Sequence, residues 1–464
     1  MNLNSLKYIY FLGVGGIGMS ALARYFNVKG KKVFGYDRHR SDLCFQLEKE
    51  GINITYNLDE QRLPEEVVNS NTKEILVVYT PAITSDNTLL NFFLNKQISV
   101  LKRAEILGLI SNKLYTIAIA GTHGKTTTST MLAHILNYNK RNILAFLGGI
   151  SSNYESNFLI SDKVDLMIVE ADEFDRSFLY LKPDIAVITS ISPDHLDIYD
   201  DKSDLFLAFH QFASQVKNDG LLLVESSIDY IFPTPANGLK LTYSAKSKQS
   251  TIFVEHIQNK NNTYYFNFKS KLNKNITQND SLIGINMPGI HNISNALAAS
   301  FIASYLGLSK IEIDDAFSTF KGINRRFQKH IDSEKLVYID DYAHHPNEVK
   351  ATIATVKDIY PLKKLTVIFQ PHLYTRTRDF AQDFADSFAH VDELILLDIY
   401  AARENPIEGI TSEMLLKLCS NRNKFLCKKK NLLSFLKKSN LEILLTLGAG
   451  DIGSFAQPIK KILD

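Results

Sequence analysis

An excess of charge of one sign is missing from this chain, since 52 Lys and Arg stand against 50 Asp and Glu. No basic stripe interleaved with aromatics compensates for that balance. Nucleic acid is thereby excluded as the main partner, and a small substrate is expected. Cysteine is scarce: Cys44, Cys419 and Cys427 show no paired, metal-type spacing, which argues for a reducing compartment and against a structural zinc site. Long apolar runs are absent too. Nothing approaches the roughly 20 residues of a membrane span, and no charged-then-apolar leader is present. The expectation is a cytoplasmic protein without membrane attachment, a monomer or weak homodimer.

What is present is enough apolar material, 45% of 464 residues, to fill more than one core. That length predicts two to four domains. At 117–126 a β-rich apolar run breaks into Gly121-Thr122-His123-Gly124-Lys125-Thr126 and continues through Thr127 into helical sequence. Strand, tight loop and helix N-terminus aim backbone N–H groups and the positive end of the helix dipole at one point. There Lys125 neutralises phosphate oxygens and Thr126 ligates Mg²⁺, so ATP is the expected cofactor. The full P-loop pattern has a glycine five residues before Gly124; this chain has Ile119, and the loop is the shorter form.

The same architecture recurs on both sides. Strand-like 8–12 runs into Gly13-Val-Gly15-Gly16-Ile-Gly18 and a helix, and a second strand ends in Asp37. This is the Rossmann-type fingerprint, open at this point to a dinucleotide site or to a tight structural turn. Beyond Arg326, four apolar strands alternate with helical stretches. Three α/β domains in series are predicted, at 1–110, 111–325 and 326–464: a Rossmann-like N-terminal domain, a central P-loop ATPase-type domain and a Rossmann-like C-terminal domain. On either side of Asn261-Asn262, the stretches from Thr251 and Thr263 read as a polar hairpin.

Several strand ends carry chemistry. Glu170-Ala-Asp172-Glu173-Phe-Asp175 follows a buried strand. It reads either as a solvated acidic loop or, beside the P-loop strand, as a source of Mg²⁺ ligands with Glu170 the best candidate. His195, flanked by Asp194 and Asp197, is either a hydrogen-bonded loop histidine or a ligand of a second metal ion. Asn292 and Asn295 open a helix one turn apart, as a cap or as readers of a purine edge. Arg326 stands where a guanidinium reaches a terminal phosphate when domains close. Asp340 to Pro346 and Gln370 to Arg378 load two further strand ends with His, Tyr and Arg, an anion-binding wall.

Together, Gly13-x-Gly-Gly-x-Gly18, Gly121 to Thr126, Glu170-Ala-Asp-Glu173, Asp194-His195-x-Asp197, His291-Asn292-x-x-Asn295, Arg325-Arg326-Phe-Gln, Asp341-Tyr-Ala-His-His-Pro346 and Phe369-Gln-Pro-His372 resemble the Mur ligases. The resemblance runs from Gly13 to Asp451, and the nearest pattern within the family is that of the ligases acting on UDP-N-acetylmuramate and L-alanine. It implies ATP-dependent amide bond formation through an acyl phosphate in peptidoglycan precursor synthesis. It implies that Gly15, Gly16, Gly18 and Asp37 hold the UDP part of the substrate, not a nicotinamide. It further implies that Gly121 to Thr127 hold the phosphates of ATP, and Thr126, Glu170 and His195 the metal. His291, Asn292 and Asn295 are expected at the adenine and Asp341 at the ribose. Tyr342, His344 and Arg376 are expected at the muramyl substrate and the alanine, His344 accepting the amine proton. Lys125, Arg326, His344 and Arg376 form the implied catalytic set.

Four departures stand out. Leu373 replaces an arginine common after His372, Ala402-Arg403-Glu404 replaces Ala-Gly-Glu, and Phe174 replaces a small residue. His210 stands about where sister ligases carry a carbamylated lysine, which implies independence from bicarbonate. Two rivals are weighed: a dinucleotide-dependent oxidoreductase leaves Lys125, Glu170 and Arg326 without work, and tripeptide-recycling ligases of the family usually lack the stretch 369–377.

Overall fold

A computed structural model of the chain describes residues 2–192, 199, 201–232, 234–235, 238–260, 263–272, 282–402 and 404–464. His195 and Arg403 lie outside the described residues, as do residues 261–262.

The first sheet contains β1 (Tyr8–Leu12), β2 (Lys32–Tyr36), β3 (Asn53–Thr55), β4 (Ile75–Tyr79) and β5 (Ser99–Lys102), in the order β3-β2-β1-β4-β5. Every pairing in it is parallel. Apolar on both faces, these strands are covered by helices on both sides, as a parallel sheet requires. The order reverses between β1 and β4, and the crevice beyond such a reversal is where ligands of this fold sit. The Gly13–Gly18 turn leaves β1 at that place.

The second sheet is built from β6 (Tyr115–Ala120), β7 (Ile143–Ser151), β8 (Ser156–Ile160), β9 (Leu166–Glu170), β10 (Ile185–Ile188), β11 (Leu221–Glu225), β12 (Leu239–Ser244), β13 (Ile252–Lys260), β14 (Thr263–Ser270) and β15 (Ile283–Ile285). Its order is β15-β14-β13-β12-β11-β10-β6-β9-β7-β8. The P-loop strand β6 lies between β10 and β9, parallel to both. Three phosphate-relevant strand ends are thereby neighbours. Strands β13 and β14, where the polar hairpin is expected, lie next to each other in this sheet.

The third sheet holds β16 (Gln328–Asp332), β17 (Val337–Asp341), β18 (Leu365–Phe369), β19 (Glu393–Leu396), β20 (Lys424–Leu426) and β21 (Ile443–Leu447), ordered β16-β17-β21-β18-β19-β20. Only the edge strand β16 is antiparallel. The last strand in sequence, β21, inserts between β17 and β18, pairing Leu447 with Asp341 on one side and Phe369 on the other. Loops 341–346, 370–376 and 448–451 therefore start side by side.

The chain divides into two compact units. One comprises Met1–His256, Phe266–Ile283 and Ser294–Phe320; the other comprises Ile257–Tyr265, Gly284–Ile293 and Lys321–Asp464. Within the first, the first two sheets share a core: Tyr25, on helix Ile17–Val28, packs against Phe146 and Phe158 at centroid distances of 5.8 and 6.4 Å. The buried Arg24 on that helix binds both carboxylate oxygens of Glu50 and the Asn157 side chain. Among the described residues, no helix is long and apolar enough to cross a membrane.

Candidate active site

The loop between β6 and helix Lys125–Tyr138 is shaped by two glycines. Gly124 takes φ +85°, and a Cβ there would meet the Asn295 side-chain oxygen at 2.5 Å. A Cβ on Gly121, at φ +132°, would lie 2.2 Å from Thr189 Oγ1. Both conformation and space demand glycine. The end of β10 straps the loop down: Thr122 N–H donates to Ser190 O at 3.0 Å, His123 N–H to Ser190 Oγ at 2.8 Å, and Ser192 N–H to Thr122 Oγ1 at 3.0 Å. Thr126 and Thr127 are buried in the first helical turn. The strand, glycine loop and helix N-terminus expected from the sequence are present here, with the helix dipole directed at the loop.

Lys125 reaches back across this loop. Its Nζ donates to Gly121 O at 2.6 Å and to the two carboxylate oxygens of Glu173 at 2.7 and 2.9 Å. Burial works against its charge, but Glu173, Asp172 and Glu170 outweigh burial and raise its pKa above the ordinary lysine value. The rest of the acidic loop is paired as well: Asp172 with Arg103 at 3.5 Å and Asp175 with Lys102 at 2.8 Å. Glu170 ends β9 in register with Ile119 and accepts from the Gly148 N–H at 3.1 Å. The solvated-loop reading fails for Glu173, which is 1% exposed.

At the N-terminal turn, Asp37 Oδ2 accepts from Gly15 N–H at 2.8 Å and Oδ1 from His39 N–H at 3.1 Å. Gly16 caps helix Ile17–Val28 without a side-chain hydrogen bond. The Arg103 guanidinium lies against Gly18, so close that a Cβ there would sit 2.2 Å from its Nη1. A cation and uncapped helix N–H groups thus face the same crevice. The motif reading did not single out Arg103; its position directly after β5, beside Lys102, was the available signal.

Asn295, in helix Ile290–Tyr305, accepts from Thr128 Oγ1 at 3.2 Å, on the first turn of the P-loop helix. In the other unit, Asn292 is buried and donates its amide to Pro288 O at 2.7 Å, which ties it to the preceding turn; His291 is exposed.

The second unit gathers its polar residues at the ends of β17, β18 and β21. Arg325 and Arg326 both place a guanidinium over the Tyr342 ring, at 5.3 and 5.2 Å. Arg325, at φ +61°, donates to Asp340 at 2.9 Å and to Gly448 O at 2.6 Å, inside the fold. From the Tyr342 ring side chains continue in contact: Tyr342 and His344 at 5.3 Å between rings, His344 and His372 at 5.9 Å, and Arg376 Nη1 on His372 Nδ1 at 3.3 Å. His344 Nδ1 lies 3.0 Å from Tyr342 O. A carbonyl only accepts, so a proton on Nδ1 points at it, and Glu348 Oε2 lies 3.3 Å from the same nitrogen. Asp341 takes the N–H groups of Phe327 at 2.6 Å and Ala343 at 2.7 Å. Burial pushes its carboxyl up to about 6, against the pull of Arg326 and those two N–H groups.

Leu373 explains its own departure. It is 3% exposed, takes φ +70° and N-caps helix Tyr374–Asp379, so this position faces the core. Glu404 accepts from Thr375 N–H at 3.0 Å, so it caps the same short helix.

Three family models match in chain order: Mur ligase family, catalytic domain, over residues 8–115; Mur ligase middle domain over 119–303; and Mur ligase, glutamate ligase domain, over 325–442. UDP-N-acetylmuramate--L-alanine ligase of Christiangramia forsetii is 46% identical, with 100% of this chain and 99% of that protein aligned. The protein of the same name in Porphyromonas gingivalis is 44% identical over 99% of both. Among solved structures, UDP-N-acetylmuramate-alanine ligase of Thermotoga maritima matches with a TM-score of 0.80 at 26% identity, covering 98% of each chain. With its three α/β domains in this order, the chain belongs to the Mur ligase family.

Proposed function

We propose that this protein is an ATP-dependent ligase joining the lactyl carboxylate of UDP-N-acetylmuramate to the amine of L-alanine, in the cytoplasmic synthesis of peptidoglycan precursors. The observation that carries the reading is a buried P-loop lysine gripping an anion, together with a His/Tyr/Arg cluster at the third sheet, on a chain aligned end to end with ligases of that name. The N-terminal domain (1–110) would take the UDP moiety at Gly15, Gly16, Gly18 and Asp37. The central domain (111–325) would take ATP, and the C-terminal domain (326–464) the reacting ends. Each sheet falls wholly within one of these spans.

The carboxylate oxygen attacks the γ-phosphorus, the bond to the β-phosphate bridge breaks and ADP leaves. The alanine amine then attacks the acyl phosphate carbonyl, phosphate departs with its oxygen and the amine gives up a proton. Such chemistry needs positioning and charge neutralisation more than covalent help. Lys125 supplies charge at the β- and γ-phosphates and Arg326 at the transferring group; His344 Nε2 accepts the amine proton. Arg376 fixes the substrate's anionic groups, while His291, Asn292, Asn295 and Asp341 serve the nucleoside.

Thr126 and Glu170 fit Mg²⁺, which takes one or two protein oxygens and completes its shell with phosphate and water. Among the described residues no group of three His, Cys, Asp or Glu side chains forms a dedicated metal cage. When bound, Mg²⁺ neutralises charge across the phosphates; His195 is proposed for a second ion. The product assay tests the reading: mass spectrometry of a reaction with ATP, UDP-N-acetylmuramate and L-alanine should show the alanyl conjugate. Turnover only with a preformed tripeptide would favour the recycling ligases instead.

A further inference from the structure

The P-loop lysine has its donors engaged within the protein. An ammonium has three N–H bonds, and at Lys125 Gly121 O and the two Glu173 oxygens provide three acceptors at 2.6 to 2.9 Å. Glu173 is 1% exposed, so this is a desolvated ion pair. Its backbone is fixed independently: Glu173 O accepts from the buried Tyr199 hydroxyl at 2.6 Å and from Arg176 N–H at 3.0 Å. Asp175 and Arg176, at φ +52° and +53°, hold the following turn in a left-handed conformation. With the backbone tied, the carboxylate can leave Lys125 only by changing rotamer.

We propose that Glu173 is a positioning residue which occupies, in the nucleotide-free enzyme, the place on Lys125 that a nucleotide phosphate takes, and which must yield that place when the nucleotide binds. The proposal rests on the reading of Lys125 as a phosphate ligand. Its logic is competition between two anions for one buried cation. While Glu173 is in place, it presets the ammonium over the loop and prevents a buried charge from standing unpaired. When phosphate displaces it, part of the binding free energy is consumed in separating the pair. Asp172 and Asp175 are engaged with Arg103 and Lys102, and Glu173 is the carboxylate hydrogen-bonded to Lys125 itself.

Glu173→Gln keeps the size and one acceptor but removes the competing charge. In EDTA, calorimetric titration with a non-hydrolysable ATP analogue should show affinity about tenfold higher than the parent's, in line with the loss of a charge-assisted contact. Glu173→Asp, which keeps the charge, should fall back toward the parent. Turnover with Mg²⁺ should drop in Glu173→Gln while the KM for ATP does not rise, a split that general damage to the fold would not produce. If Glu173→Gln does not fold, a structure of the parent with the metal-free analogue decides the matter: the contact between Glu173 and Lys125 should be broken. Equal or weaker binding by folded Glu173→Gln, or an intact ion pair beside bound phosphate, would overturn the proposal and leave the ligase reading standing. Failure of the parent to bind the analogue would overturn both.

Discussion

Asp340 and Arg325 meet at 2.9 Å, with none of the Asp340 side chain exposed, and Thr446 Oγ1 donates to the second carboxylate oxygen at 2.7 Å. Arg325 ties the end of β17 to the Gly448 loop, and both it and Arg326 place a guanidinium over the Tyr342 ring, at 5.3 and 5.2 Å; Arg326 is the one proposed for the transferring phosphoryl group.

Arg325→Ala should consequently destabilise the C-terminal unit by about 3–5 kcal/mol, because it leaves a buried carboxylate unpaired. Arg326→Ala should leave thermal unfolding within a few degrees of the parent and abolish turnover. Calorimetric scans of the two variants beside activity assays check this; a reversed pattern would reassign the pair.

Lys125→Ala should lower kcat by about 10² to 10³-fold, the usual effect of removing one preorganised charge partner of a transition state. The single variant also strands the Glu173 carboxylate. Lys125→Ala with Glu173→Gln should therefore melt higher than Lys125→Ala alone while staying equally inactive. Recovery of activity in the double variant would remove Lys125 from the catalytic set.

The Asp341 carboxyl is pushed up to about 6 by burial, against an ordinary value of 3.8. Between those values the folded state holds the proton more tightly than the unfolded chain, so this group's contribution to stability is fully present below pH 4 and is lost as pH rises through 6. Relative to the parent, Asp341→Asn should gain about 2 kcal/mol of stability between pH 4 and pH 7. Denaturant unfolding at several pH values measures the difference, and a pH-independent difference would contradict the assignment.

Arg376→Ala should lower kcat/KM for the sugar nucleotide by about 10- to 100-fold, as expected for a lost charge-assisted contact. Leu373→Arg should not compensate. It would bury a guanidinium where the side chain is 3% exposed, and lowered stability without improved kinetics is the expected result. A gain in substrate affinity would show that this position reaches the site.

His210 lies exposed in helix Lys202–Ser214 and has no amine to carbamylate. Activity in CO₂-depleted buffer should therefore match that in bicarbonate. Rescue by added bicarbonate would identify a lysine in that role.

The central strands β1, β4, β6, β9, β10, β17, β18, β19 and β21 were legible in the sequence as short apolar runs bounded by glycine and polar residues; β3, β7, β8, β11, β12, β15, β16 and β20 were not read from it. Gly121, Gly124 and the Asp341–Pro346 loop announced themselves by residue types that only a few geometries use. What sequence spacing did not reveal were partnerships between distant positions. Lys125 with Glu173, Arg103 with Gly18 and Asp172, and Arg325 with Gly448 depend on strand order, and the insertion of β21 between β17 and β18 has no local signature. Leu373 looked like a lost contact for the same reason: a one-letter pattern carries no information about a left-handed φ or about which way a side chain is buried.

The central claim, that ATP activates the muramyl carboxylate as an acyl phosphate, is tested most directly by isotope transfer. With UDP-N-acetylmuramate labelled by ¹⁸O at both carboxylate oxygens, ATP and L-alanine, mass analysis of the released phosphate should find one ¹⁸O per turnover, the other remaining in the amide. Phosphate released without label, in amounts matching the ADP formed, would contradict the account.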